Sequence, residues 1–495
     1  MTLDLKQRIF EIKGSYEIYS LYRHLREKFD PTYSYLLESI DVGGEERLFS
    51  YICLEPDFFL QIDREQMTFP DIMTERGERI VEYIMSEGAE ENRRDTTFDD
   101  RVDYNIGALN ILSSAFPSNT TQRPEIFDRQ VFYGGFLGYL GWDILAPWAG
   151  FKKRAKTPDL LLSFNTKVLI YDHGRDRLYY VDNGFNGTSS NIEQYRYLDG
   201  YEVIESPDLT GLEVRGEEGI SNVSKDDFIR MVADTKEYIY SGDIFQAVVS
   251  RRIDIPNLEV GDLEIYRVLR EINPSPYMYY LDFGDLRFIG CSPEALITIN
   301  KRKITTVPIA GTRKRGETME KDLEMERELM NDPKERAEHV MLVDLARNDL
   351  AKVSEPGTVE PTIFMVPRRY KHVMHIITVV EGTQRRELTS FDVLKSVFPA
   401  GTVSGAPKLR AIEVIEEQER DPRGPYAGVI GYVSLNQDCD WAITIRTLQL
   451  LGDTAMMQAG GGIVADSKPE LEWKETENKA RSLLVAVEMA KEMVP

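Results

Sequence analysis

The stretch LLLSFNTKVLIYDHGRDRLYYVD, residues 160–182, indicates most directly what kind of fold the first half of the chain adopts. Its runs are rich in β-branched and aromatic residues, which is typical of strands, and turn residues separate them. The run RLFSYICL at 47–54 has the same character. The first half is therefore expected to consist mostly of β-sheet.

The second half alternates between two kinds of pattern. KDDFIRMVADTKEYIYSG (225–242) and ERAEHVMLVDLARNDL (335–350) have helical periodicity, whereas YMYYLDFG (277–284) and AITIRTLQLL (442–451) are typical of strands. The fold class predicted for the whole chain is therefore a mixture of helix and sheet, α/β of the α+β type.

The chain has 495 residues, which exceeds the usual size of one domain and favours two domains or one large intertwined unit. Two polar stretches, at 86–100 and at roughly 185–225, are expected to be loops or linkers. We therefore distinguish an N-terminal region, residues 1–200, from a second region, residues 225–490.

The charge balance excludes two classes of partner. The chain has 83 acidic and 60 basic residues, a net charge of −23, which repels both nucleic acid and anionic lipid. We expect no nucleic acid and no membrane as partners. A small anionic substrate is still compatible with this charge, because a bound divalent cation outweighs it at short range.

Cysteine content and the N-terminus both favour a cytoplasmic protein. The three cysteines are far apart and form no CxxC pair, which predicts neither a zinc site nor a disulfide framework: Cys53, Cys291 and Cys439. The start, MTLDLKQRIFEIKG, has charges where a signal peptide needs apolar residues. The stretch from Gly135 to Phe151 contains Asp143 and Pro147 and is not expected to span a membrane.

The segment DPKERAEHVMLVDLARNDL predicts a helix with a buried carboxylate. Asp332 followed by Pro333 is a typical helix start, and Glu335 and Glu338 lie one turn apart in that helix. Glu338 continues a stripe formed by three apolar residues, Met341, Leu342 and Leu345. Most such glutamate pairs face water, but a carboxylate on a buried face needs a partner or a metal.

A second pair, Glu472 and Glu475, lies near the start of the last predicted helix. These two residues share a face with Lys479, beside the apolar stripe, so a solvated, salt-bridged flank is an equally good interpretation. Two helices that each offer paired glutamates suit an oxygen-preferring ion such as Mg²⁺ and disfavour zinc.

Two glycine-rich segments and one arginine are candidate anion binders. PAGTVSGAPK (399–408) leads into a predicted helix and QAGGGIVADS (458–467) follows a predicted strand, but neither matches a nucleotide-binding motif. Each segment on its own is better explained as a structural turn. Arg446 is a charge in an otherwise apolar strand, where burial predicts a carboxylate partner.

Three of the five histidines fall within residues 339–375. His372 and His375 lie in a strand-like pattern, so their side chains point to opposite faces and only one of them can serve a given site. The spacing does not choose between them. The residues alone thus predict a Mg²⁺-dependent site for a small anion in the second half, and they do not name the substrate.

Taken in order, these segments resemble the chorismate-utilising enzymes, which make anthranilate, aminodeoxychorismate, isochorismate or salicylate. The resemblance covers about residues 225–490 and includes SGDIFQAVVS, GCSPEALI, PIAGTRKRG, ERAEHVMLVDLARNDL, FPAGTVSGAPKLRAIEVIEE, RGPYAGVIGY and QAGGGIVADS. It implies a large two-subdomain sandwich of antiparallel β-sheets flanked by helices.

The resemblance also implies roles for individual residues. Glu338 and Glu475 correspond to direct Mg²⁺ ligands, with Glu335 and Glu472 acting through water. Residues at matching positions hold the substrate: Gly311, Thr312, Thr402, Tyr426, Arg446, Gly460, Gly461, Gly462 and Lys479. The positions that correspond to catalytic residues are Glu294, His375, Gln246 and Thr402. Glu294 resembles the general acid, and the resemblance selects His375 over His372 for the later elimination.

Two positions separate the branches of this family. Water-using members carry a lysine base at the position of Gln246, and aminodeoxychorismate synthases carry a nucleophilic lysine at the position of Ala310. Neither residue is present, so the resemblance favours the anthranilate-forming branch and keeps the aminodeoxychorismate branch as the alternative. An inactive tryptophan-binding protein of the same fold is a remote alternative.

The anthranilate-forming branch implies two further partners. LLES and NPSPYM resemble a feedback site for tryptophan, formed by Glu38, Ser39, Pro276, Tyr277 and Met278. Ala442 departs from the cysteine of several tryptophan-sensitive members, which puts inhibition by tryptophan in question. No glutaminase segment is recognisable, so ammonia is expected from a separate glutamine amidotransferase subunit.

Overall fold

The computed structural model describes residues 5–39, 49–64, 66–91, 109–110, 112–113, 116, 124–127, 129–151, 154–185, 198, 201–207, 209, 216, 219–370 and 373–493. Within these residues the strands form two large sheets, and every strand pair is antiparallel. The predicted fold class, antiparallel sheets flanked by helices, is confirmed.

The first sheet has twelve strands in the order β1-β9-β8-β3-β2-β12-β13-β22-β23-β11-β10, and β19 also pairs with β11. Their bounds are β1 Leu5–Ile12, β2 Ser34–Glu38, β3 Phe49–Leu54, β8 Lys167–Asp172, β9 Arg177–Phe185, β10 Ile220–Ser221, β11 Gln246–Ile255, β12 Tyr277–Phe283, β13 Leu286–Ser292, β19 Gly405–Ala406, β22 Thr447–Leu451 and β23 Thr454–Ile463.

The second sheet has eleven strands in the order β16-β18-β15-β14-β21-β20-β6-β7-β4-β5, and β17 also pairs with β18. Their bounds are β4 Phe58–Asp63, β5 Gln66–Thr68, β6 Gly135–Leu140, β7 Leu160–Asn165, β14 Ala295–Asn300, β15 Lys303–Thr306, β16 Ile309–Lys314, β17 Glu360–Arg369, β18 Val373–Thr383, β20 Val429–Ser434 and β21 Cys439–Ile443.

The described helices are α1 Ile18–Phe29, α2 Glu75–Glu91, α3 Ala146–Ala149, α4 Lys225–Tyr240, α5 Asp262–Ile272, α6 Met319–Asn331, α7 Pro333–Val353, α8 Ser390–Val397, α9 Lys408–Gln418 and α10 Pro469–Glu492, with short 3-10 turns at Trp142–Leu145 and Gly401–Val403. None of them combines the length and apolarity that crossing a bilayer requires.

The main core lies between the two sheets. Tyr139 of β6 packs on Phe288 of β13 with ring centroids 4.9 Å apart, and Phe59 of β4 lies near Phe283 of β12. A second buried cluster covers the outer face of the first sheet with residues of α1, α5 and α10. Because both faces of the sheet are covered at its centre, strands β3, β12 and β13 are buried along nearly their whole length rather than at alternate residues.

The stretch 160–182 forms strands, as predicted, but there are three of them and they belong to both layers. Strand β7 ends at Asn165 in the second sheet, and β8 starts at Lys167 in the first. The single residue between them, Thr166, is fully buried, and its N–H donates to Asp57 at 2.8 Å. The two sheets are thus joined covalently by a one-residue crossing.

The two sequence regions are interleaved. Strand β2 pairs with β12 in the first sheet, and β6 pairs with β20 in the second, so each sheet contains strands from residues 1–200 and from residues 225–490. A division of function between these regions stays a prediction. The expected loop at 86–100 is partly wrong, because helix α2 continues to Glu91; residues 92–100 lie outside the described part.

Candidate active site

Helix α7 begins as predicted and presents its glutamates near its N-terminus. The Asp332 side chain accepts hydrogen bonds from the backbone N–H groups of Lys334 and Glu335, and Pro333 occupies the first turn. This capping satisfies N–H groups that have no partner inside the helix. It also fixes the position of Glu335 and Glu338 one and two turns further on.

The apolar stripe of α7 faces a cleft and not the core, which corrects the sequence interpretation. Met341, Leu342 and Leu345 are only half-buried, and the two leucines line a small cavity that also contains Glu294 and Thr402. The residues of α7 that are fully buried include His339, Val343 and Leu350. The stripe therefore forms one wall of a site.

Helix α10 brings the second glutamate pair to the same region. Glu475 forms an ion pair with Lys479 at 2.7 Å, and both side chains are nearly half exposed, so the salt-bridged interpretation is correct for this residue. Burial raises the pKa of Glu338 and of Glu472, and the negative charge of Glu475 adds to both shifts. The carboxylates of the two helices therefore share one electrostatic environment.

The four glutamates fit an oxygen-preferring cation in their chemistry. Glu335 accepts from Arg313 at 3.1 Å and Glu338 lies 3.6 Å from Lys334, so cations already balance these carboxylates. The Oε2 atom of Glu472 is buried without a hydrogen-bond partner among the described residues. As they stand, no three His, Cys, Asp or Glu groups of the described residues converge closely enough to hold an ion.

Three glycines near the C-terminal end of β23 form a cradle, here called the glycine cradle, Gly460–Gly462. The turn expected here is wrong, because all three residues pair in register with β11. A Cβ atom would lie 2.9 Å from the Tyr426 hydroxyl at the first glycine, 2.9 Å from Glu472 Oε2 at the second and 2.8 Å from Gln246 Nε2 at the third. Each glycine thus leaves space for one predicted site residue.

Lys479 contacts the same cradle. Its Nζ atom donates to the Gly460 carbonyl at 2.8 Å while it also binds Glu475. The other glycine-rich segment reaches the site through Thr402, which lies in the 3-10 turn Gly401–Val403 just before α9. Both glycine-rich segments therefore contribute to one site.

Glu294 lies between β13 and β14, and its carboxyl group has a pKa near neutral pH. Burial raises its pKa to about 7, although a hydrogen bond from Thr402 Oγ1 at 2.9 Å and the charges of Lys479 and Arg446 act in the opposite direction. A carboxyl group with this pKa is largely protonated just below neutral pH and can act as a general acid.

His375 is a neutral imidazole with a defined tautomer. Its Nδ1 atom lies 2.7 Å from the Gly311 carbonyl and 3.1 Å from Thr312 Oγ1. Because a carbonyl only accepts, Nδ1 carries the proton and Nε2 keeps its lone pair. Burial lowers the pKa of His375, and the positive charge of Arg446 lowers it further. His372 lies outside the described residues.

Gly311 is required next to His375 for two reasons. Its φ is +66°, a conformation that side chains disfavour, and a Cβ would lie 3.1 Å from Glu335 Oε2. The residue therefore lets the strand that orients His375 pass close to a glutamate of α7. Gly311, whose carbonyl accepts the hydrogen bond from His375, therefore lies next to Glu335 of α7.

The predicted strand position and carboxylate partner of Arg446 are both wrong. Arg446 lies in the bend between β21 and β22 with φ +49°, and among the described residues no ion pair joins it to a carboxylate. Its charge acts at a distance on Glu294 and His375. A half-buried guanidinium without a fixed counter-ion suits the carboxylate of a ligand.

The five residues predicted to bind tryptophan line one further cavity of about 440 Å³. Within it Glu38 is buried and accepts hydrogen bonds from Arg270 at 2.8 Å and from Tyr266 at 2.6 Å. Ala442 and Asp440 of β21 also line this cavity, and burial raises the pKa of Asp440 to about 7. We call it the Glu38 cavity.

The sequence interpretation missed two groups around these sites. Arg313 binds both Asp332 and Glu335, and so joins β16 to the start of α7. Asp440 has no distinctive local pattern, because its environment is supplied by strands far away in sequence. The sequence signal for Arg313 was its place in the motif PIAGTRKRG, and that motif did not identify its carboxylate partners.

Comparisons with known proteins identify the family of this chain. The sequence pattern of the family described as chorismate binding enzyme matches residues 81–485, so the chain belongs to the chorismate-binding enzymes. Anthranilate synthase component 1 of Acetivibrio thermocellus is 46% identical over 383 residues, which cover 73% of this chain and 76% of that protein. Anthranilate synthase component 1 of Aquifex aeolicus is 39% identical over 488 residues, covering 96% and 92%.

Solved structures give the same result. Anthranilate synthase component I from Streptococcus pneumoniae superposes with a TM-score of 0.71 at 31% identity, covering 90% of this chain and 94% of that one. The menaquinone-specific isochorismate synthase from Escherichia coli superposes with a TM-score of 0.66 at 18% identity, covering 98% and 95%, and shows the shared fold alone. Within its family this chain is therefore similar to the anthranilate synthase component 1 proteins.

Proposed function

We propose that the protein converts chorismate and ammonia into anthranilate and pyruvate, with Mg²⁺ as its cofactor, the first step of tryptophan biosynthesis. The observation that carries this proposal is that Arg446, which has no ion pair with the described carboxylates, acts electrostatically on both a protonatable Glu294 and a neutral His375. These are an acid, a base and an anion-binding group, and amination followed by elimination needs all three.

Chorismate is a dianion, and the site offers two cations for its carboxylates. Arg446 and Lys479 would bind carboxylates, while the glycine cradle and the Tyr426 ring leave room for the substrate ring. Lys479 is bound to an exposed glutamate and to a carbonyl, contacts that a substrate carboxylate can replace at low cost. Gly311, Thr312 and Thr402 complete the proposed substrate contacts.

Mg²⁺ would be held directly by Glu338 and Glu475, with Glu335 and Glu472 supporting it through water. When bound, the ion would supply positive charge that binds and neutralises the ring carboxylate of chorismate. The buried, unpartnered oxygen of Glu472 and the mutual repulsion among the glutamates both support this assignment.

Glu294 would act first. It donates its proton to the C4 hydroxyl, which leaves as water while ammonia adds at C2 and both ring double bonds shift; the ammonium group formed at C2 then loses one proton to solvent. The hydrogen bond from Thr402 to Glu294 Oε1 keeps the carboxyl group oriented. His375 would act second through Nε2: it removes the C2 proton, the bond to the enolpyruvyl oxygen breaks, and pyruvate leaves after protonation of its enolate.

The nucleophile is ammonia, and we propose that a separate glutamine amidotransferase subunit supplies it. Gln246 lies against Gly462, and an amide cannot deprotonate water there. Ala310 of β16 offers no nucleophile in place of ammonia. The three cysteines are buried and free, which also suits a reducing cytoplasm.

A direct assay tests the proposal. The purified chain is mixed with chorismate, Mg²⁺ and ammonium chloride, and anthranilate fluorescence and pyruvate are both measured. We expect equal amounts of the two products, and no turnover when glutamine replaces ammonium. Aminodeoxychorismate as the final product, or water-derived isochorismate, would contradict the proposed reaction.

We further propose that the Glu38 cavity binds tryptophan and reduces activity. The cavity is walled by aromatic and apolar side chains from five strands, β2, β3, β12, β20 and β21, and a buried carboxylate lies at Glu38. An amino acid with a flat aromatic side chain matches both features, since its ammonium group would meet carboxylate oxygen. Ser39, Pro276, Tyr277 and Met278 line the same space.

A further inference from the structure

A buried ion pair without a role in the reaction above contacts the backbone of strand β11 and of the turn that carries Thr402. Glu419 and Arg423 are 6% and 5% exposed. Arg423 Nε and Nη2 donate to the two oxygens of Glu419 at 2.9 and 2.7 Å. This parallel arrangement depends on the planar guanidinium and is not available to lysine.

Arg423 also binds two backbone carbonyls beside site residues. Its Nη1 atom donates to the Val403 carbonyl at 2.8 Å, and Nη2 donates to the Val248 carbonyl at 2.5 Å. Val403 directly follows Thr402, and Val248 lies two residues after Gln246. One side chain therefore holds the 3-10 turn that carries Thr402 against strand β11.

Glu419 fixes β11 at a second point. Its Oε1 atom accepts from the Ser250 N–H at 2.8 Å and from Ser250 Oγ at 2.7 Å. In the β11–β23 register Ser250 is opposite Gly460 and Val248 is opposite Gly462. The ion pair thus holds β11 at the two residues that pair with the ends of the glycine cradle.

Two aromatic rings complete these contacts. The Arg423 guanidinium lies 4.3 Å from the Trp142 ring centre and 5.5 Å from that of Tyr426. The Tyr426 N–H donates to the Arg423 carbonyl at 3.2 Å, which sets the approach of Tyr426 to Gly460. Rings on a cation add attraction and restrict its position.

We propose that the Glu419–Arg423 pair is a positioning element that sets the relative placement of Thr402, Tyr426 and the glycine cradle, and through Thr402 the hydrogen bond to Glu294. Desolvation offsets most of the attraction within a buried ion pair, so such a pair contributes little net stability compared with apolar residues. Its many backbone contacts account better for its presence here. The inference rests on the proposed amination of chorismate.

The test compares Arg423→Lys with Arg76→Lys in the full chain. Arg76 forms an equally buried ion pair with Asp182 at 2.6 Å, far from the site residues in sequence and in a different part of the fold. We expect Arg423→Lys to lower kcat about 100-fold, the effect of a displacement on the order of 1 Å, with a smaller change in KM. Arg76→Lys should alter the melting temperature without altering kcat.

The pH profile separates positioning from a general loss of structure. The hydrogen bond from Thr402 lowers the pKa of Glu294, so loosening Thr402 should raise that pKa. The fall of kcat/KM with rising pH, here called the alkaline limb, should therefore occur at higher pH in Arg423→Lys. The limb of Arg76→Lys should coincide with that of the unaltered protein. Equal kinetics and equal limbs in the two variants, compared per folded molecule, would overturn the inference.

A milder variant covers the case in which Arg423→Lys does not fold. Ser250→Ala keeps the ion pair and removes one hydrogen bond to Glu419, and we expect about a fivefold lower kcat with a limb shift in the same direction. Unchanged kcat and limb would overturn the inference. An unaltered protein that consumes no chorismate would instead overturn the proposed function.

Discussion

The catalytic cleft and the Glu38 cavity differ in how their carboxylates are paired. In the cleft, Glu338 and Glu475 each lie beside a lysine of their own helix at 3.6 and 2.7 Å, on partly exposed surfaces. In the Glu38 cavity, the carboxylate is buried and receives hydrogen bonds from Arg270 and Tyr266 of α5, far away in sequence.

The difference indicates two kinds of binding. Exposed ion pairs within one helix contribute roughly 0.3–0.5 kcal/mol, so an incoming cation or substrate can replace them readily. A buried, fully bonded carboxylate is costly to rearrange, so the Glu38 cavity is preformed for one shape of ligand. The ion pairs of the cleft are expected to be replaced on ligand binding, and the hydrogen bonds of Glu38 are expected to be kept.

The two regions are connected through backbone contacts. Met278 of the Glu38 cavity pairs in register with Cys291, whose N–H donates to the Arg446 carbonyl at 3.1 Å. Ala442 of the same cavity precedes Ile443, whose N–H donates to the Glu294 carbonyl at 2.9 Å. We therefore expect a ligand in the Glu38 cavity to act on Arg446 and Glu294 by small strand displacements.

The largest expected effect is on the acidic cleft. Glu338→Gln should lower kcat about 1000-fold or more, because an amide cannot supply the charge that holds Mg²⁺, and chelation with EDTA should abolish activity reversibly. Glu413→Gln, at an exposed position of α9 and paired with Arg410, is the matched control, and its kcat should equal that of the unaltered protein. Full turnover of Glu338→Gln in chelator would contradict the metal assignment.

Removal of the general acid should have the next largest effect. Glu294→Gln should lower kcat about 100- to 1000-fold. Because its pKa is raised to about 7, Glu294 holds its proton below that pH and loses it above, so kcat/KM of the unaltered protein should fall as pH rises through about 7. This alkaline limb should be absent in Glu294→Gln; an identical limb would assign it to another group.

Loss of the base should separate the two chemical steps. His375→Met should slow anthranilate formation about 100-fold while chorismate is still consumed, so an aminated intermediate accumulates, visible by chromatography and mass spectrometry. His24→Met, in α1 and outside the site, should release anthranilate at the normal rate. Normal anthranilate output from His375→Met would refute its role in elimination.

The smallest expected effect concerns the preformed cavity. Ala442→Leu adds bulk to the wall of the Glu38 cavity and should weaken tryptophan binding about tenfold, measured by calorimetry and by the inhibition constant. Activity without tryptophan serves as the internal reference for each protein. Equal tryptophan affinity in both proteins would show that tryptophan binds elsewhere or not at all.

Much of the site was predictable because its signals are local. Capping by Asp332 and Pro333 defines the start of α7, and oxygen donors on two helices favour an oxygen-preferring cation, since both properties depend on neighbours within a few residues. The family motifs then indicated Glu294 and His375, and the structure places both within the electrostatic influence of Arg446.

The tertiary structure decided what the local signals left open. Helical periodicity shows that α7 has an apolar side, but only packing determines that Leu342 and Leu345 line a cleft instead of the core. Arg446 lies in a bend and has no counter-ion within the described part of the chain. The glycine cradle lies in a strand whose partner β11 is some two hundred residues earlier. Such pairings depend on contacts between distant segments, which no local pattern of residues encodes.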